Sequence, residues 1–381
     1  MAEYWLISTP LEKNPDDGWK QLYSITTKVK TCEIFKFFIP VLKVGTLDTL
    51  LADSDNLSKL EMYLEGLLVR LANGMGTAYN IEETQRLREL FLVRGQNLYD
   101  YLVTFRWDVA RFPTKQTIKS IADLALKQGS IIESEYKLKF QDYLAAKTAY
   151  EICQKNEQGS LLTRNLTDII KKEDYISDSI YLSTVFVIVP KKLLGDWYNM
   201  YERFDETVVP KSSRIITEDP EYYLVGVTVF QKNISSFTEN CRKFKFLVRQ
   251  FKHDDQEEMK NKEKVEYNRL KKEALFQPLV NMLRHQFCEV YINYVHVKAA
   301  RIFVESVLRY GLPPHFRTVL MIVGKKDVKK VRDILYHLYK HLDAIVISDG
   351  DKVHLESGAA VGHNPADYYP YVTTRINTDI I

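Results

Sequence analysis

The chain has 381 residues, 45% hydrophobic and 27% charged, and its 53 basic and 50 acidic side chains leave a net charge of +3. That length predicts two or three domains, and the composition excludes a disordered chain, which would lack apolar residues to bury. The near-neutral balance argues against a dedicated nucleic-acid binder, which carries a basic excess, while 24 tyrosines suit cores and protein interfaces.

The first ten residues, Met1 to Pro10, hold neither the basic region nor the apolar run of a secretory signal. No apolar stretch reaches the length of a membrane span. Cys32, Cys153, Cys241 and Cys288 are widely spaced, with no Cys-x-x-Cys pair, so reduced cytosolic thiols are expected rather than a zinc site or disulfide framework. The sequons at Asn56, Asn165 and Asn233 are then chance matches.

In chain order, Tyr4–Ser8 reads as a strand, and a second apolar run spans Phe35–Val41. Leu57, Leu60, Leu64, Leu67, Leu68 and Leu71 recur at steps of three and four, which predicts a helix capped by Ser54-Asp55-Asn56. Phe112-Pro113 is expected to end a further element. Leu124, Ile131, Leu138, Ala145 and Ile152 fall every seven residues, with polar residues at the matching d positions. This predicts a long helix with one narrow apolar seam, packed on another rod, and a stop at Gly159. A β-rich block follows from about 160 to 250. Tyr181–Pro190 and Tyr222–Phe230 read as strands, Trp197–Thr207 and Ile234–Lys243 as helices, and the sheet as mixed or antiparallel. From Asp254 to Glu273, seven acidic and six basic residues predict a solvated helix, which turns amphipathic at Leu279 and continues to Tyr310. Gly311-Leu312-Pro313-Pro314 stops it. Strands at Thr318–Val323 and Ala344–Ser348 flank a helix at Val328–His341, and Tyr368–Ile376 reads as a last strand.

The fold class expected is therefore α+β, mixed and helix-rich. The order predicts an elongated dumbbell: an α/β head on an antiparallel two-helix neck, above an α/β foot formed by both termini. The foot takes residues 1–120 and 305–381, the neck 121–158 and 252–304, and the head 159–251. Arms of about 30 helical residues reach roughly 45 Å.

Signatures of chemistry are missing. No phosphate-binding glycine loop, Gly-x-Ser-x-Gly elbow or His-Glu-x-x-His occurs. Gly74-Met75-Gly76 is a fragment of a glycine fingerprint inside a helical pattern. His337 and His341 stand four apart but lack an accompanying Glu, so a surface helix is the plainer reading. His296, between Val295 and Val297, reads as a satisfied buried histidine. Lys325, Lys326, Lys329 and Lys330 could meet phosphate, or simply solvate a helix start. No acid, base and nucleophile converge, so neither catalytic residues nor a metal or cofactor are expected.

Two blocks are more specific. Phe38-Ile-Pro-Val-Leu-Lys-Val-Gly-Thr-Leu-Asp-Thr-Leu50, followed by Ser54–Glu61, and His296-Val-Lys-Ala-Ala-Arg-Ile-Phe-Val-Glu-Ser-Val-Leu-Arg-Tyr-Gly-Leu-Pro-Pro-His-Phe316 resemble the C subunit of the vacuolar-type proton-translocating ATPase (V-ATPase). Ser160–Leu166, Val208–Ser213 and Tyr368–Val372 match in the same register. The resemblance implies a non-catalytic stator of head, neck and foot. It would join the ATP-hydrolysing sector to the membrane proton channel, and its reversible release would switch the pump off. The implied partners are the E and G subunits, in two peripheral stalks, and the N-terminal domain of the membrane a-subunit; actin binding, which the resemblance implies for some members, gives the alternative reading of an actin-binding cytoskeletal linker. The implied location is the cytosolic face of vacuolar, endosomal and lysosomal membranes.

Candidate partner-binding residues follow from charge and position. In the foot, Arg301, Glu305 and Arg309 share one helical face, as a stripe toward a partner or as internal i,i+4 bracing. In the head, Lys191, Lys192, Lys211 and Arg214 follow strand ends or loops, where a partner helix could dock or a solvated rim could lie.

Overall fold

The computed structural model describes residues 2–11, 15–81, 84–167, 169–176, 179–249, 251, 255–342 and 369–378. In chain order the elements are β1 (Ala2–Pro10), α1 (Pro15–Lys28), β2 (Cys32–Lys36), α2 (Leu47–Tyr79), α3 (Thr84–Leu90), α4 (Leu98–Val103), α5 (Ile118–Gln158), β3 (Leu182–Pro190) and α6 (Leu194–Met200). Then come β4 (Arg214–Glu218), β5 (Tyr222–Phe230), α7 (Ile234–Lys243), β6 (Leu247–Arg249), α8 (Asp255–Tyr310), β7 (Phe316–Gly324), α9 (Val328–Tyr339) and β8 (Val372–Ile376). The chain divides into two compact units: Met1–Phe140 with Gln277–Ile381, and Gln141–Phe276.

The first unit holds an antiparallel sheet in the order β2-β7-β1-β8. β1 and β7 pair over nine residues, from Ala2 with Gly324 to Pro10 with Phe316. Alternation along the strands sends Trp5, Ile7, Val319, Met321 and Val323 to one face, where Leu22, Ile25 and Val29 of α1 and Val331, Leu335 and Tyr339 of α9 cover them. From Gln286 to Val307, α8 is buried on nearly all sides and forms the central helix of this unit. It meets the sheet through Phe303, whose ring lies 5.5 Å from that of Phe316, and through the Tyr310 hydroxyl, which donates to the Ser8 carbonyl at 2.8 Å.

The second unit repeats this plan. Its sheet runs β4-β5-β3-β6, again antiparallel, and β3 pairs with β5 over nine residues. Both sheets are split βαβ arrangements, strand-helix-strand-strand-helix-strand, with the third strand between the first and second. β1 and β3 even share a burial pattern and a terminal proline. Val185, Val187, Val225, Val227, Trp197 and Phe237 fill the face under α6 and α7. Leu161, Leu166 and Ile170 cover Phe186, Ile188 and Leu224 on the other face. Within this unit α5 and α8 touch at Tyr143 and Phe276, at Tyr150 and Lys272, and at Cys153 and Asn268, so one number falls as the other rises and the helices are antiparallel.

Several expectations need correction. α2 starts at Leu47 after the N-cap Thr46, so Ser54-Asp55-Asn56 lies inside the helix and the apolar pattern continues upstream through Leu50. β2 ends at Lys36, and Phe38 and Val41 are exposed in the loop beyond it. Phe112-Pro113 ends no helix or strand. Phe112 is a buried turn residue whose carbonyl accepts from the Trp107 indole at 2.8 Å. The seven-residue seam of α5 faces outward: Ile131, Leu138 and Ile152 are 49%, 67% and 54% exposed. The buried face is Ile118, Ile121, Ala122, Ala125, Tyr136, Tyr143 and Ala146. Small residues win there because α2 comes close. A Cβ on Gly129 would sit 3.0 Å from the Tyr63 ring, and one on Gly74 would sit 3.0 Å from Tyr136. The helix from Trp197 ends sooner than expected, since α6 stops at Met200 and one 3-10 turn carries it to Arg203. The strand expected at Ala344–Ser348 lies outside the described residues.

Candidate functional site

The foot stripe was expected on one face of α8, and the first unit places its members differently. Glu61 of α2, four residues after Leu57 on the leucine face, is buried and forms ion pairs with both Lys298 and Arg301, the second at 2.9 Å. Arg301 also binds Glu305 at 2.7 Å through Nε. Lys298 donates further to the Arg375 carbonyl of β8 and lies 5.4 Å above the Tyr294 ring. Nearby, Asn377 donates to Glu65 at 2.6 Å, and its backbone N–H donates to the Tyr294 hydroxyl at 3.1 Å. Burial pulls the Lys298 ammonium below its ordinary pKa, partly offset by Glu61. Burial also pulls on Arg301, but Glu305 and Glu61 outweigh it and hold the guanidinium above its ordinary value. Arg301 and Glu305 thus brace the unit internally, while Arg309 is exposed near the helix end. Glu61 and Lys298 escaped the sequence reading, although a charge on an otherwise apolar helical face was the available signal in each.

His296 is fully buried in an aromatic box, with ring centroids of Phe105, Trp107 and Phe112 at 5.0, 5.1 and 4.7 Å. Its Nε2 accepts from the Asp108 backbone N–H at 3.0 Å, and its Nδ1 lies 2.7 Å from the Ile292 carbonyl. That geometry fixes the neutral tautomer with the proton on Nδ1, and burial lowers the pKa to about 4. This histidine is structural.

The head residues do not converge. Lys191 binds Glu218 at 3.0 Å and covers the Tyr223 ring at 5.1 Å, at the end of β3. Lys192 beside it is exposed. Lys211, exposed and in the left-handed region at φ 59°, gives its backbone N–H to Glu202 at 2.9 Å. Arg214 starts β4 and binds Asp174 at 2.8 Å. Lys211 and Arg214 thus lie at the start of β4, whereas Lys191 reaches its far end at Glu218.

Sequence reasoning missed two apolar surfaces. In the first unit, the loop after β2 exposes Phe38 at 73% and Val41 at 67%, and Leu47 opens α2 at 65%. In the second, Ile180 and Tyr181 are 80% and 70% exposed just before β3, next to half-exposed Phe230 at the other end of the Leu182–Phe230 pair. Exposed apolar side chains brought together on a surface are candidates for protein contacts. Among the described residues no group of three or more His, Cys, Asp and Glu is placed to hold a metal ion, and no helix is long and apolar enough to cross a membrane. The four cysteines are free, and burial pushes the Cys32 and Cys241 thiols up to about 12.

These features define an α+β protein of two split βαβ units, one inserted in the chain of the other. The family profile of the V-ATPase C subunit matches residues 4–372. The V-type proton ATPase C 1 subunits of Bos taurus and Xenopus tropicalis are each 39% identical to it, over 392 and 382 residues. The V-type proton ATPase C subunit of Manduca sexta is 39% identical over 385. Each alignment covers all of this chain and 99% of the relative. The chain belongs to the V-ATPase C-subunit family. A solved cytoplasmic N-terminal domain of the I-subunit, a homologue of the V-ATPase a-subunit, aligns over 88% of this chain and 97% of that one, but a TM-score of 0.30 at 10% identity is too low for a shared fold.

Proposed function

We propose that this chain is the non-catalytic stator of a V-type proton pump, joining its soluble ATP-hydrolysing sector to its membrane sector at the cytosolic face of acidifying organelles. Its release and rebinding would control assembly of the two sectors. The observation that carries this is the match to the V-ATPase C-subunit family over residues 4–372; exposed apolar side chains on each compact unit, Phe38, Val41 and Leu47 on the first and Ile180 and Tyr181 on the second, are the anchors this reading assigns. A linker needs two anchoring surfaces, and two modest contacts on one chain act together. In this reading the head patch, with Lys192, Lys211 and Arg214 near its unit's rims, meets one stalk of E and G subunits. The foot patch and Arg309 meet a second stalk and the N-terminal domain of the a-subunit.

The test is gel filtration of the purified chain with the E–G heterodimer, which should give a stable complex. No complex with either the full chain or the assembled pump's stalks would refute the stator role. The dumbbell belongs to the same reading. A compact particle of this length would have a radius of gyration of roughly 21 Å, so a small-angle scattering value near that counts against it.

A further inference from the structure

We infer that one corner of the first unit is a docking surface for an anionic lipid bilayer. Four lysines, Lys325, Lys326, Lys329 and Lys330, lie between the end of β7 and the first turn of α9. The fold brings two more, Lys28 and Lys30, to the same place from the far end of the sequence. Cys32 pairs with Val323, and the Gly324 N–H donates to the Thr31 carbonyl at 3.2 Å. The Thr31 hydroxyl then donates to Asp327 at 2.5 Å, tying the α1–β2 turn to the start of α9. All six lysines are exposed, and all lie within six residues of the Thr31–Gly324 contact. Among the described residues Lys28, Lys30, Lys326, Lys329 and Lys330 form no ion pair. Among the described residues the acidic side chains nearby are Asp327, which accepts from Thr31; Glu33, which accepts from the Tyr99 hydroxyl at 2.7 Å; Glu3, paired with Val323 and accepting from the Trp5 indole at 3.0 Å; and Asp333 further along α9. Among the described residues the six lysines outnumber these four carboxylates, so the corner carries a net positive charge in a chain whose total is only +3.

The second unit supplies an internal control. The corresponding corner, from the end of β5 into α7, reads Phe230-Gln-Lys-Asn-Ile-Ser-Ser236, with one lysine where the first unit has four. The same topology therefore does not require the charge.

The residue types select the partner. Every cation in the cluster is lysine, a hydrated point charge without the fork that fixes a single carboxylate or phosphate. Val29 is buried, no aromatic side chain lies between Gly324 and Val331, Arg332 is stacked on the Trp5 and Tyr369 rings and the Tyr99 hydroxyl is engaged by Glu33, so the lysines themselves are not interleaved with the aromatic or arginine anchors of a protein hot spot or the stacking platforms of a nucleic-acid site. A diffuse cluster of about four to eight lysines is what the negative surface potential of an anionic leaflet attracts. The contact needs no other protein, so it can fail or hold independently of the stator reading.

The experiment is vesicle flotation with the full-length chain, using phosphatidylcholine vesicles with and without phosphatidylserine. Bound protein should rise at least about tenfold with phosphatidylserine and fall steeply as salt shortens the screening length. Replacing Lys28, Lys30, Lys329 and Lys330 by Gln should abolish the gain. Replacing Lys127, Lys139, Lys264 and Lys271, exposed lysines elsewhere, by Gln changes net charge equally and should leave it. Circular dichroism melts confirm that both variants fold. No preference for phosphatidylserine, equal losses in the two variants, or stronger capture by soluble polyglutamate than by vesicles would overturn the inference.

Discussion

His296 is held neutral inside a box of rings, which makes the first unit sensitive to acid. Its folded pKa of about 4 lies below the unfolded value near 6.5, so between those values the unfolded chain binds more protons. Stability is then lost as pH falls from about 6.5 toward 4, by up to about 3 kcal/mol from this residue. Urea titrations at neutral and mildly acidic pH should show that loss, and a His296→Phe variant should show a shallower slope. An unchanged slope would mean other groups dominate. At Glu61 the expected effect is electrostatic, with little change in shape. Glu61→Gln leaves Lys298 buried without its countercharge and should cost about 3–5 kcal/mol. Lys298→Met should cost less, because Glu61 keeps Arg301.

Helix α5 shows how far element-level reading extends. Its length and its stop before Gly159 were legible, because periodicity and a glycine break mark them. Its buried face was not. The larger apolar residues Ile131 and Leu138 repeat as regularly as the buried ones, and only the approach of α2 favours Ala122, Ala125 and Gly129. Two glycines test this with opposite signs. Gly66→Ala meets only the end of the Arg70 side chain at 3.5 Å and should stabilise by about 0.5–1 kcal/mol through helix propensity. Gly129→Ala presses on Tyr63 and Leu64 at 3.0 and 3.2 Å, and an overpacking cost of about 1–3 kcal/mol should outweigh the same gain. Thermal melts of both variants decide it. The sites divide similarly: charged residues were legible as residues, but their partners across 240 positions, such as Glu61 for Arg301, were not.

At the scale of the whole molecule, most strands were visible in the sequence, yet the nesting of one split βαβ unit within the connection of another was only implied by segment order. No local pattern encodes that Ala2 pairs with Gly324. If the two apolar patches act as separate anchors, disabling either should weaken attachment far more than its own contact area suggests, since avidity is lost. Phe38→Ser with Val41→Ser, and separately Ile180→Ser with Tyr181→Ser, should each lower retention of the soluble sector on membranes by about 100-fold. Loss from one pair alone would assign the attachment to a single unit.

The pairing of β1 with β7 also has a consequence during synthesis. The second unit is one continuous stretch, so all its strands emerge before β7. β1 emerges first, but its central partner follows about 300 residues later. At about 5–20 residues per second, that leaves an apolar strand with an open edge for roughly 15–60 s. The nascent first unit is thus a candidate chaperone client, and ribosome-bound fragments ending just before and just after β7 should differ sharply in protease resistance.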